Sequence, residues 1–210
     1  MRIVYLHGFA SSPMSGKAQY FRRQFARFGI DMEIPQLDQG DFRNLTISGQ
    51  LAVIERTVGN QPAILMGSSL GGYLAALYAT SHASIGKLIL MAPAFEFPRR
   101  WRERYPPAEM ERWKREGAYP IFHYGANAML PLSYRFVEDS LHYENEPAFA
   151  QPALIFHGTR DEVVPPAVSE RFAASHPNVK LRLLDSGHEL MDVLDEMWQD
   201  TREFLEFQSP

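Results

Sequence analysis

The 210-residue chain contains no cysteine. That absence removes disulfides, thiolate metal sites and a cysteine nucleophile together. It leaves the compartment open, because a chain without thiols tolerates either redox state. No apolar run approaches the roughly 20 residues that a membrane-spanning helix needs. No basic segment with an apolar stretch precedes the first strand, so no signal peptide is read and a cytoplasmic location is the default expectation. Charge excess is missing as well. Lys and Arg number 21 against 25 Asp and Glu, a net −4 that points to neither nucleic acid nor an acidic membrane surface as a partner. No H-E-x-x-H or comparable ligand pair occurs, so no metal and no cofactor is expected. Internal repeats and low-complexity segments are absent too. With 45% hydrophobic and 22% charged residues, the chain reads as one soluble domain, residues 1–210, large enough for a sizeable core.

The most informative gap is local. Between Ser68 and Gly86 there is no Asp, Glu, Lys or Arg. Ala63 to Met66 is a continuous apolar run, as in a strand buried on both faces, and from Leu70 the apolar residues take helical spacing. Between strand and helix stands Gly67-Ser68-Ser69-Leu70-Gly71, which fits G-x-S-x-G with Ser69 at its centre. A serine on so sharp a strand-to-helix turn is held in strained backbone geometry, and the helix N-terminus offers N–H groups to a developing oxyanion. The bland reading is an ordinary Gly/Ser turn. The strand–turn–helix context favours a nucleophile.

Elsewhere strands alternate with helices. Strands are expected at Arg2 to Leu6, Asp31 to Pro35, Ala63 to Met66, Lys87 to Met91, Ala153 to His157 and Val179 to Leu184. Helices are expected from about Lys17 to Phe28, over Ile47 to Val58, after Ser69, from about Pro166, and from Leu190 to Phe207. This rhythm implies an α/β fold with a parallel sheet and right-handed crossovers. Charges alternate with apolar residues only in the second and sixth strands, which should therefore be the edges. The predicted order is 2-1-3-4-5-6, a six-stranded sheet with helices on both faces and a switch point between strands 1 and 3, where ligands bind. Residues 95–150 break the rhythm. They read as a lid insertion between strands 4 and 5, with short helices over Pro107 to Glu116 and Ser133 to His142.

A serine needs a base, and the base an orienting acid, in the chain order Ser, Asp or Glu, His. Asp161 follows the fifth strand and His188 the sixth, on the same rim as Ser69. Rival acids are Glu162, Asp185 and Asp192. Rival histidines are His7, His82, His123, His142, His157 and His176, each with structural work as the commoner role. The oxyanion donors are expected to be the N–H of Leu70 and that of Phe9, with Ala10 second, because Gly8 frees the loop to turn inward. Phe95, Trp101, Tyr119, Phe122, Tyr124 and Met129 of the lid are candidate substrate-binding residues. A phosphate-binding loop at Ser11 to Ala18 is the remote alternative, but it lacks the first glycine and the final hydroxyl. A non-catalytic binding module is another.

With these residues in place the chain resembles the α/β-hydrolase superfamily along almost its full length, as a short version starting at what is usually the third strand. The opening L-H-G-F-A-S-S-P-M-S-G-K and the elbow G-S-S-L-G-G-Y are similar to small bacterial YqiA-type esterases. The segment E-M-E-R-W-K-R-E-G resembles lidded acyl-thioesterase and acyl-glucuronide esterase relatives. Both resemblances imply hydrolysis of a small-molecule ester or thioester, with Ser69, Asp161 and His188 as triad. The lid arginines from Arg99 to Arg115 are expected to pair with neighbouring glutamates, Glu111 with Arg115 in particular. The alternative is that Arg99, Arg100 and Arg102 face the pocket mouth and bind an acidic leaving group. Neither acyl chain length nor oligomeric state is written in these motifs.

Overall fold

The computed structural model describes residues 1–206. The first strand, β1 (Ile3–Leu6), is buried throughout and leads through a loop into α1 (Gly16–Ala26). An edge strand, β2 (Met32–Glu33), precedes α2 (Ile47–Val58), which Thr46 caps by accepting the Gly49 N–H. Next come β3 (Ala63–Ser68), α3 (Leu70–Ala79) and β4 (Ile85–Met91). Residues 95–150 hold α4 (Phe97–Glu103), α5 (Pro107–Glu116), β5 (Ala118–His123), β6 (Ala128–Ser133) and α6 (Arg135–Ser140). The chain then re-enters the sheet with β7 (Ala153–Gly158), followed by α7 (Pro166–Ser175), β8 (Val179–Leu184) and α8 (Leu194–Leu205).

The main sheet has six parallel strands in the order β2-β1-β3-β4-β7-β8, which is the predicted order once the two lid strands are set aside. Residues of alternate parity along each strand feed two cores. Val4, Leu6, Leu65, Leu88 and Leu90 face α2, α3 and the lid, where Phe95, Phe97, Trp101 and Phe136 complete the larger cluster. Ile3, Tyr5, Ile64, Met66 and Ile89 face α1 and α8, where Phe25 meets Trp198 edge-on at 4.9 Å. All ten residues of α3 are buried, as the charge-free stretch requires.

Four expectations need correction. The last helix starts at Leu194 rather than Leu190, because Leu190 has φ 53° and cannot continue a helix; Phe207 lies outside the described residues. The first edge strand shrinks to two residues. The alternation read in the sixth strand does not carry through to burial on β8, where Leu183 is 41% exposed and Leu184 is buried. Finally, the lid holds an antiparallel hairpin as well as short helices. Pro120 and Pro131 sit opposite each other in its ladder, and two prolines in short strands conceal the strand pattern. The expected helix over Pro107 to Glu116 forms with those bounds, and Gly117 ends it at φ 77°.

Candidate active site

Ser69 occupies the turn from β3 into α3 with φ 53° and ψ −117°, a conformation that costs on the order of 1–3 kcal/mol and persists only when its surroundings enforce it. Here they do. The Ser69 N–H donates to the Met91 carbonyl at 2.9 Å, and the Ser69 carbonyl accepts from Gly72, Tyr73 and Ala94. The flanking glycines are obligatory. A Cβ on Gly67 would lie 2.3 Å from the Gly71 carbonyl oxygen, and one on Gly71 would lie 2.1 Å from that of Leu6. The motif spacing therefore encodes a contact of β1, β3 and α3 backbones.

His188 and Asp161 arrive from the loops after β8 and β7. His188 Nε2 lies 3.1 Å from Ser69 Oγ, and His188 Nδ1 lies 2.7 Å from Asp161 Oδ2. The Asp161 side chain is fully buried, whereas 14% of the His188 side chain reaches solvent. The other Asp161 oxygen accepts the backbone N–H groups of Val163 at 2.8 Å and Val164 at 2.9 Å. A second imidazole also meets this carboxylate: His157 Nε2 stands 3.1 Å from Asp161 Oδ2 and 2.9 Å from the Val164 carbonyl. Both are acceptors, so Nε2 carries the proton and Nδ1 accepts from the Ser169 hydroxyl at 2.7 Å. Burial alone pushes the Asp161 carboxyl up. The hydrogen bonds from His157, His188 and Val164 outweigh it and hold the group well below the usual carboxylate range.

The rival acids are accounted for. Asp185 pairs with Arg160 at 2.8 Å on the surface, Asp192 accepts from Ser186, and Glu162 is exposed. Of the other histidines, His7 binds the Gly8 carbonyl, His82 stacks on Tyr78, His176 stacks on Phe172, His123 packs on Phe42, and His142 is exposed. His157 also has a structural setting, but sequence reading missed its contact with Asp161. The four-residue spacing across H-G-T-R-D was the available signal.

The loop after β1 passes beside the elbow, since a Cβ on Gly8 would lie 3.5 Å from both the Ser68 carbonyl oxygen and Ser69 Cβ. Phe9 follows Gly8 in this loop. Its ring packs on Trp101 at 4.8 Å, on Phe136 at 5.3 Å and on Phe42 at 5.7 Å. Ala10, at φ 53°, accepts the Tyr124 N–H at 2.7 Å, so the lid hairpin is fastened to this same loop. Of the lid residues singled out in the sequence, Trp101 alone packs its ring on Phe9. Phe95 is fully buried and stacks on Phe172 at 4.1 Å, which makes it a core residue. Tyr119 packs on Trp113 and Tyr105, while Phe122, Tyr124 and Met129 are exposed on the hairpin. Arg99 pairs with Glu96, and Arg100 donates to the Val163 carbonyl at 2.7 Å, so two of the three arginines proposed for a pocket mouth have partners. The expected Glu111–Arg115 pair does not form; Glu116 instead pairs with Arg112 and Arg115.

Among the described residues there is no cluster of three or more His, Asp or Glu able to hold a metal ion, and no helix long and apolar enough to cross a membrane. Comparison with curated proteins finds no match. Among solved structures, the chain is similar to alpha/beta hydrolase domain-containing protein 10 from mouse, at 19% identity and a TM-score of 0.82, over 98% of this chain and 89% of that one. It is also similar to Est1E from Butyrivibrio proteoclasticus with ferulic acid bound, at 19% identity and a TM-score of 0.81, over 98% and 90% of the two chains. At these identities the likeness establishes the α/β-hydrolase fold. A family model matches residues 2–205, and the chain belongs to that family, described as the uncharacterised protein family UPF0227.

Proposed function

We propose that this protein is a cofactor-free serine hydrolase that cleaves carboxylic esters or thioesters of small acyl substrates. The observation that carries the reading is the relay Ser69 Oγ–His188 Nε2, His188 Nδ1–Asp161 Oδ2, at 3.1 and 2.7 Å, assembled from three loops at the carboxyl ends of β3, β8 and β7. Ser69 attacks the acyl carbon while His188 takes its proton. Asp161 holds the imidazole in the tautomer that leaves Nε2 free to accept. The N–H groups of Leu70 and Phe9 stabilise the oxyanion, His188 returns the proton to the leaving group, and water then cleaves the acyl-enzyme. The fold shared with Est1E supports an ester-type substrate by analogy. Loss of p-nitrophenyl ester turnover in Ser69→Ala, by at least about a thousandfold with the fold intact by circular dichroism, is the expected result. Turnover close to wild type in that variant would end the reading and point first to Ser68.

A further inference from the structure

Among the described residues Lys17 is the only lysine or arginine that is buried, 6% exposed. It stands in the first turn of α1, at the positive end of the helix dipole, so both its position and its loss of water disfavour the charge. Its ammonium donates to Ser68 Oγ at 3.0 Å and forms no ion pair among the described residues. Glu189 after β8 and Asp161 after β7 act on the ammonium from further away. Beside it lies a cavity of about 80 Å³ lined by Tyr5, Ser11, Ser15, Ser68, Glu189 and Met191. A buried cation this poorly compensated is a cost to the fold, and such groups gather where they serve chemistry.

Its location says which chemistry. The segment between β1 and Lys17 carries Phe9, one of the two oxyanion donors. Ser68 directly precedes Ser69 and Leu70, which carry the nucleophile and the other donor. The Lys17–Ser68 bond therefore ties the two halves of the oxyanion hole together. We propose that Lys17 is a positioning residue for the oxyanion: through Ser68 it fixes the loop after β1 against the elbow and adds positive potential where negative charge develops. The assignment rests on the hydrolase reading above. An interaction that strengthens only in the transition state acts on kcat more than on KM.

Two consequences separate this role from a purely structural one. Burial draws the ammonium down from 10.5 to about 8, against the upward pull of Glu189 and Asp161, so its charge is lost as pH rises through about 8. The rate should fall over that range. Between about 8 and 10.5 the unfolded chain binds more protons at this site than the folded one, so this group's contribution to stability rises with pH there. The charged ammonium thus opposes folding at neutral pH, and removing it should not lower the melting temperature.

The test is kcat and KM for a neutral p-nitrophenyl ester, per mole of folded protein, from about pH 6 to about pH 10 in wild type, Lys17→Met and Lys17→Arg. Wild type should show the alkaline decline. Lys17→Met should lose about ten- to a hundredfold in kcat with KM within about twofold, and show no decline near pH 8. Lys17→Arg, with a permanent charge and the adjoining cavity to receive the larger head, should keep most of the rate and also lose the decline. A Lys17→Met enzyme with wild-type kcat and an unchanged alkaline limb would overturn the assignment. Should that variant not fold, an unchanged limb in Lys17→Arg does the same. Wild-type labelling of Ser69 by a fluorophosphonate keeps these outcomes distinct: without it the hydrolase reading itself fails and this role with it.

Discussion

Asp161 accepts from two imidazoles and two backbone N–H groups, which makes it the most constrained carboxylate of the site. Asp161→Asn keeps the shape but supplies an N–H where His188 needs an acceptor, so kcat should fall by roughly 10⁴. A rate near wild type would mean that another acid orients His188. The same residue sets an acid limit on stability. Its folded-state pKa lies below the unfolded one, so the folded protein binds fewer protons, and the stabilisation is fully present above the unfolded carboxylate range. It drains as pH falls below about 4 toward the folded value. The melting temperature of Asp161→Asn should therefore drop less steeply than that of wild type between about pH 5 and pH 3. Parallel curves would place the acid sensitivity elsewhere. His157 illustrates what single residues conceal. Its sequence setting, a histidine at a strand end before glycine, is that of a backbone-bonded ring, and only the turn after β7 shows that it also reaches the carboxylate.

At the scale of elements, the elbow was legible because its constraints are local. Gly67 and Gly71 are forced by backbone contacts within one strand–turn–helix unit and with the neighbouring strand β1. The lid was legible only in part, because its hairpin depends on pairing across a turn between strands that each carry a proline. Its aromatics reveal their size but not their direction, and Phe95 looks in sequence like any other lid aromatic, yet it is buried on α7. Trp113 is the anchor of this element: 1% exposed, it donates to the Leu132 carbonyl at 2.9 Å and packs on Tyr105, Tyr119 and Tyr134. Trp113→Ala should destabilise the protein by about 3–5 kcal/mol in denaturant titration. If the lid shapes the acyl pocket, the folded variant should change its chain-length preference more than its fluorophosphonate labelling rate. Equal loss of both would make the lid a purely structural cover.

At the scale of the whole molecule, charge alternation in just two strands was enough to identify the edges, and with them the strand order and the switch point. The order holds although both edge strands differ in detail from expectation, because an edge is defined by having one unpaired side and not by its length. The rim between β1 and β3 gathers Ser69, the loop carrying Phe9, and Lys17, while β7 and β8 deliver Asp161 and His188 to the same face. Substrate choice was not legible, since the surroundings of the site are assembled from segments distant in sequence, as where the Phe9 ring meets Trp101 and Phe136. The most direct measurement of the central claim is peptide mapping after reaction with a fluorophosphonate. One adduct per chain, located on Ser69, present in wild type and lost in both Ser69→Ala and His188→Ala, is the predicted result. An adduct on Ser68, or undiminished labelling of Ser69 in His188→Ala, would contradict it.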